Sequence, residues 1–199
     1  IMNKKENISK ATEELEKIVS NENEDNKFER ILKLEEKYPD DVGILQVISR
    51  NYLAVGDNTK ALNYLLKAKS IAPKNFSIHY NLGSLYQTFK KDDDAIKFFK
   101  KSIELKKDFT NGYNALADLY LKKKNYKETI KYLKDSVKID FSINNINAMS
   151  ILALAIVANY FQTKNLIELK DALIYFKKAH ELDPSNDKLL KQLISFYHL

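Results

Sequence analysis

The sequence predicts an all-α protein assembled from antiparallel helix pairs, about eleven helices in 199 residues. Two observations carry that prediction. The chain repeats itself with a period of 34 residues, and inside each repeat apolar residues return every three or four positions, the spacing of one helix face. Composition removes the alternatives. Four Gly and three Pro are too few for the many tight turns of an all-β protein, whereas 44% hydrophobic and 30% charged residues suffice to bury a core.

The repeat is visible column by column. With a shift of 34, Tyr52, Tyr86 and Tyr120 align, as do Ile48, Leu82 and Leu116. Small residues follow at once: Ser49, Gly83 and Ala117. Ala61, Ala95 and Thr129 form another column, and Leu65, Phe99 and Leu133 another. Three units, 42–75, 76–109 and 110–143, therefore succeed one another without a gap.

Each element follows from these columns. Segment 8–41 is a degenerate repeat: Ile31, Leu34 and Pro39 fit a second helix, but Lys27 holds the slot that a small residue takes elsewhere. Unit 76–109 is the most regular. Its first helix is expected over about Ser77–Phe89, with Ile78, Leu82, Leu85 and Tyr86 on one face. A polar turn over Lys90–Asp93 follows, where carboxylates suit a helix N-terminus because they accept from its orphan N–H groups. The second helix is expected to bury Ala95, Phe98, Phe99, Ser102 and Ile103. Gly83 or Ala117 on one helix and Ala95 or Thr129 on the other mark where the pair crosses closely. Segment 144–186 is an irregular repeat, with extra residues before it and three more in its turn, Leu166–Leu169. Residues 187–199 read as a capping helix carrying Leu189, Leu190, Leu193, Phe196 and Tyr197.

These units resemble the tetratricopeptide repeat. The family pattern, aromatic-x2-Leu-Gly-x2-Tyr, then Ala-x3-Phe, then Pro, stands here as His79, Leu82, Gly83, Tyr86, Ala95 and Phe99. The next unit gives Tyr113, Leu116, Ala117, Tyr120, Thr129 and Leu133, and a later one gives Ala172, Phe176 and Pro184. His79 and Tyr113 stand where the family usually has Trp, and both read as packing residues. The resemblance implies a right-handed superhelical solenoid over 1–199, with first helices lining a concave groove. It also implies a non-catalytic scaffold that binds a peptide or protein partner.

The groove positions implied are Gln46, Tyr80, Asn114 and Leu154 in one column and Val47, Asn81, Ala115 and Ala155 in the next. A third holds Arg50, Ser84, Asp118 and Ala158. Amides dominate the middle, and an amide side chain both donates and accepts. Towards the C-terminus the positions turn apolar, with Leu154, Ala158 and Phe161. Relatives that clamp a chaperone's C-terminal carboxylate use Lys–Asn, Asn and Lys–Arg across three successive first helices; here Gln46 and Arg50 fill the first pair and Asn111 and Ala115 the last, so Asn81 alone agrees and the gripping cationic pair is missing.

Other chemistry is poorly supplied. There is no Cys and only three His, so metal, thiol and cofactor sites are not expected. Asp92–Asp93–Asp94 lacks the spaced pattern of a calcium loop. Net charge is +6, distributed as −4 over 1–41, +9 over 42–143 and +1 thereafter. Only two of the 33 basic residues are Arg, and the Lys clusters fall in turns and second helices, so nucleic acid is an unlikely partner. The 23 residues between Asp140 and Lys164 carry no charge. Their five amide side chains and flanking repeats argue against a membrane span; two readings stand, a lengthened buried helix covered by 187–199 and an apolar surface over 144–163 for self-association or docking. The first residues lack an apolar signal stretch, which favours the cytoplasm.

Overall fold

The computed structural model describes residues 4–20, 26–164 and 166–197. Among them are eleven α-helices and one 3-10 turn, with no strand. The helices are α1 (Lys4–Val19), α2 (Lys27–Lys37), α3 (Val42–Ala54), α4 (Asn58–Ile71), α5 (Phe76–Thr88) and α6 (Asp92–Leu105). They continue with α7 (Thr110–Lys122), α8 (Tyr126–Ile139), α9 (Ile146–Thr163), α10 (Leu166–Leu182) and α11 (Asp187–Tyr197). The chain forms two compact units, Ile1–Leu105 and Lys106–Leu199.

In the first unit each helix packs on its sequence neighbour, most extensively α3 on α4 and α5 on α6. Two apolar clusters fill it. Ala11, Ile18, Ile31, Leu34, Ile44 and Ile48 join α1, α2 and α3. Leu45, Ala61, Leu65, Ile78, Leu82 and Leu85 join α3, α4 and α5. Each fully buried Leu or Ile contributes about 1.5–3 kcal/mol, so the apolar columns of the repeat are also its cohesive energy. The close crossing expected at Gly83 is present: a Cβ built there would lie 2.6 Å from the Phe99 ring.

The turn inside each regular repeat has one geometry. Gly56, Lys90 and Lys124, spaced by 34, all have positive φ (81°, 58° and 54°). The N–H that follows each one bonds back to the column tyrosine: Asp57 to Tyr52 O (2.8 Å), Lys91 to Tyr86 O (2.9 Å) and Asn125 to Tyr120 O (2.9 Å). This left-handed closure satisfies carbonyls at the end of the first helix. The next residue but one opens the second helix. Asp57 and Asn125 cap it by accepting from Lys60 N (3.0 Å) and Glu128 N (3.2 Å). Lys91 holds the same position before α6 and has no side-chain oxygen to offer; Asp92 and Asp93, expected in the turn, lie with Asp94 in the first turn of α6.

In the second unit α7 pairs with α8 and α9 with α10, α8 also packs on α9, and α11 packs on α10. The irregular repeat is longer: α9 has 18 residues and α10 has 17, against 13 and 14 in the regular pairs. Residues Leu166–Leu169, read from sequence as an enlarged turn, are the first turn of α10. The chain can bend sharply at Lys164 (φ 58°), so the added residues extend a helix instead of a loop. The stretch Ile143–Thr163 is long and apolar enough to cross a membrane by length and composition. Here Ala148, Met149, Leu152, Ala153, Ala155 and Ile156 are buried within the unit, while Ile143, Ile151, Leu154 and Phe161 are exposed. Of the capping residues, Leu189 is buried and Leu190 is exposed; the side chains of Leu193 and Tyr197 lie outside the described residues.

Candidate functional site

In the first unit the predicted positions lie on α3 and α5. Gln46 is half-buried, and its Oε1 accepts from Asn81 Nδ2 (3.0 Å) across the two helices. The Ser77 hydroxyl also lies 2.8 Å from that oxygen and 2.8 Å from Asn75 Oδ1. Asn75 in turn caps α5 by accepting from Ser77 N (3.0 Å). Two predicted residues are thus joined directly, and Ser77, which was not among the predicted positions, adds a second contact to Gln46. Gln46 also lines a cleft of about 670 Å³ with Tyr38, Asp40, Asp41 and Asn75. Arg50 is exposed one turn further along α3, and Ser84 is half-buried one turn along α5 from Tyr80. The Tyr80 ring rests against Phe99 at 5.5 Å.

In the second unit the predicted positions lie in more varied surroundings. Asn114 turns inward: its Nδ2 donates to Asn145 Oδ1 (3.0 Å), and its own carbonyl oxygen is buried without a hydrogen bond. Asn145, missed in the sequence, is the hub. It is 4% exposed and donates to Ser136 Oγ (3.1 Å) and Asp140 O (3.0 Å). Asn114 therefore ties α7 to the turn before α9, because an amide there can reach a neighbour that needs its hydrogen bonds. Ala155, placed in a groove column by spacing, is buried in the unit. Asp118 is exposed and pairs with Lys122 at 3.2 Å, one turn away on the same helix.

The apolar positions of α9 divide. Leu154 is 43% and Phe161 54% exposed, while Ala158 is half-buried. Lys164 Nζ lies 5.6 Å from the Phe161 ring and 5.6 Å from the Tyr160 ring. The capping helix covers part of this surface: Ser150 Oγ donates to Gln192 Oε1 at 2.6 Å. Beside that contact is a cleft of about 700 Å³ between α9, α10 and α11, with Leu154, Val157, Phe176 and Phe196 in its wall.

A second periodic feature escaped the sequence reading. Each regular repeat holds a stacked ring pair, Tyr52–Tyr64 (5.7 Å, 19°), Tyr86–Phe98 (5.2 Å, 12°) and Tyr120–Tyr132 (5.6 Å, 11°). The partners Tyr64, Phe98 and Tyr132 are themselves 34 residues apart, a signal that was available. The Tyr64 phenol donates to Glu35 Oε2 (3.1 Å). Burial first, and then the Glu35 carboxylate, push its pKa up to about 12. His79 and Tyr113 share a further task. Each tethers a loop carbonyl six residues back, His79 Nε2 to Pro73 O (2.7 Å) and Tyr113 Oη to Lys107 O (3.1 Å). Among the described residues no group of three His, Cys, Asp or Glu could hold a metal ion.

Antiparallel helix pairs repeated on one plan define a helical-repeat protein. The comparisons specify which. The tetratricopeptide repeat family matches residues 42–75, 76–109 and 110–143, just over half of the chain. The chain belongs to that family, whose fold typically serves as a non-catalytic scaffold for protein interaction.

Solved structures with the same fold include a MamA fragment from Desulfovibrio magneticus RS-1 (16% identical, TM-score 0.69, covering 94% of this chain and 99% of that one). YrrB, described as a TPR protein with an unusual peptide-binding site, is 18% identical with TM-score 0.67, covering 84% of this chain and 82% of that one. PilF of Pseudomonas aeruginosa is 18% identical with TM-score 0.64, over 79% and 68%. A curated relative, a UDP-N-acetylglucosamine–peptide N-acetylglucosaminyltransferase of Giardia intestinalis, is 27% identical over 126 residues, 61% of this chain. The match spans 8% of that enzyme's length.

Proposed function

We propose that the chain binds a peptide segment of a partner protein along first-helix faces, with the main contacts on α3 and α5. The observation that carries this reading is the arrangement around Gln46. A cleft lined by both polar and apolar residues opens beside an amide already held in place by Asn81 and Ser77. A pre-positioned amide loses little freedom on binding, and with its oxygen held by Asn81 and Ser77 its Nε2 keeps an N–H to donate to a peptide backbone. Arg50 adds an exposed cation for a carboxylate on the ligand, and Ser84 a hydroxyl. Likeness to a fold neighbour described by its peptide-binding site supports a peptide as the ligand class.

The test is selection of random displayed dodecapeptides on the intact chain, followed by calorimetry of the enriched sequences. An Arg50→Ala, Asn81→Ala double variant is expected to weaken them by about tenfold or more, the scale of one hot-spot contact. Unchanged affinity in that variant, with its helicity intact, removes the reading.

A second reading has its own observation, the exposed Ile151, Leu154 and Phe161 on α9. These favour self-association through 144–163, with a second copy covering what α11 leaves open. Sedimentation of the intact chain against a Leu154→Glu, Phe161→Glu variant tests it. A dimer that dissociates in the variant supports it. A chain that is monomeric at tens of micromolar, where ~6–7 kcal/mol of association would show, ends it.

A further inference from the structure

On the second-helix side of the second unit, α8 and α10 enclose a cleft of about 450 Å³ that the first-helix reading does not use. Val137, Phe141 and Ile174 supply its apolar lining, and Lys134, Lys138, Asp171 and Tyr175 the rest. Phe141 is 46% and Ile174 59% exposed, both large apolar side chains left open to water.

The repeat itself shows that neither residue is there for the core. Ile174 stands two residues after Ala172, a column that elsewhere holds Asn63, Lys97 and Lys131, all exposed and polar. Phe141 falls in the column of Pro73 and Lys107, likewise exposed. Two solvent positions of the repeat have thus become large and apolar in one unit, and both open onto the same cleft.

The surroundings are cationic. The second unit carries 15 basic and 10 acidic residues, and Lys127, Lys131, Lys134 and Lys138 follow one another along α8. Asp171, the carboxylate in the cleft wall, is paired with Lys134 at 3.2 Å. Lys178 Nζ lies 5.9 Å from the Phe141 ring. Lys138, in the last turn of α8, makes no ion pair with a described residue. An occupant must therefore bury an apolar side chain and bring negative charge.

We propose that this cleft is a second docking site, for an acidic peptide segment of a partner protein. One bulky apolar residue of the segment would enter between Phe141 and Ile174, and flanking Asp or Glu residues would meet Lys138 and Lys134. A peptide fits better than an anionic membrane because the apolar surface is recessed between two helices and admits a single side chain.

The test uses the intact chain and a displayed dodecapeptide library with a central Phe or Leu flanked by randomised Asp, Glu, Ser and Ala. Enriched peptides are expected to bind about tenfold or more weakly to Ile174→Ser and to Lys138→Glu. Both variants change exposed side chains and should keep the wild-type circular dichroism. Binding should weaken as ionic strength rises from about 50 to 500 mM, because the pairs are screened. The Arg50→Ala, Asn81→Ala variant should leave it unchanged, which separates this site from the one on α3 and α5. Absence of enrichment, or enriched peptides indifferent to both substitutions, overturns the proposal. So does binding of phosphatidylserine vesicles with the same dependence on Ile174 and Lys138 and no peptide capture.

Discussion

At the scale of single residues, the small slot of the repeat is set by what faces it. Gly83 opposes Phe99, with no room for a methyl group. The corresponding slots hold Ser49 and Ala117 in the two units whose matching second-helix residue is Leu65 or Leu133. Ser49 even uses its side chain, donating to Ala61 O at 2.9 Å. Gly83→Ala is therefore expected to destabilise the protein by about 1–3 kcal/mol through overpacking. Adding Phe99→Leu should recover part of that loss, and a double-mutant cycle by urea denaturation measures the coupling. His79 gives a second case. His79→Phe keeps a ring but removes the donor to Pro73 O, an expected cost of about 1 kcal/mol, whereas His79→Tyr copies Tyr113 and should cost less. Tyr64 sets a pH dependence. Its raised pKa means that the folded state holds the phenol proton more tightly than the unfolded chain does. The associated stability is complete below pH 10, the ordinary value, and is lost as pH rises towards about 12. Denaturation curves across that window should fall more steeply for the wild type than for Tyr64→Phe.

At the scale of elements, the turn inside each repeat is the most regular local structure, and two of its residues are poorly suited to it. Lys90 and Lys124 adopt the left-handed conformation that Gly56 takes at the same position without steric cost. Lys90→Gly and Lys124→Gly should each stabilise by about 1 kcal/mol, read as a shift in denaturation midpoint without a change in slope. Lys91→Asp should supply α6 with the cap that Asp57 gives α4, worth about 1 kcal/mol in the same assay. These turns were only partly legible in the sequence. Gly56 alone signals positive φ, and lysine at the matching positions hides it. The column tyrosines were plain, but the period does not show that their carbonyls close the turn or that their rings stack on Tyr64, Phe98 and Tyr132.

At the scale of the whole molecule, charge limits the available partners. The net +9 over 42–143 rests on a single Arg among 19 basic residues, and the lysines are distributed over turns and second helices. Any nucleic-acid binding should therefore be weak and lose most of its strength between roughly 50 and 200 mM salt, which a retardation assay reads directly. The two units also differ in what they present. The first unit offers a cleft of mixed lining at Gln46, with Asp40, Asp41 and Asn75 beside it, and the second offers exposed apolar residues on α9 and at Phe141 and Ile174. A scaffold with faces of different chemistry can hold more than one segment of a partner, so the Arg50→Ala, Asn81→Ala and Ile174→Ser variants separate those contributions.

The period of 34, the helix pairing and the apolar columns are properties of the chain alone. Burial of one face per helix forces Leu, Ile and small residues to recur at fixed spacing, and that recurrence can be read without coordinates. The orientation of polar side chains is different. Asn81 and Asn114 have the same residue type on successive first helices. Asn81 bridges to Gln46 on α3, while Asn114 is drawn inward by Asn145, a residue 31 positions away. The same holds for 144–163. Its uncharged composition was evident, but packing decided that Ala155 and Ile156 are core while Leu154 and Phe161 remain open. Spacing assigns a residue to a face; the hydrogen-bonding and packing partners brought from elsewhere in the chain determine whether that face meets solvent.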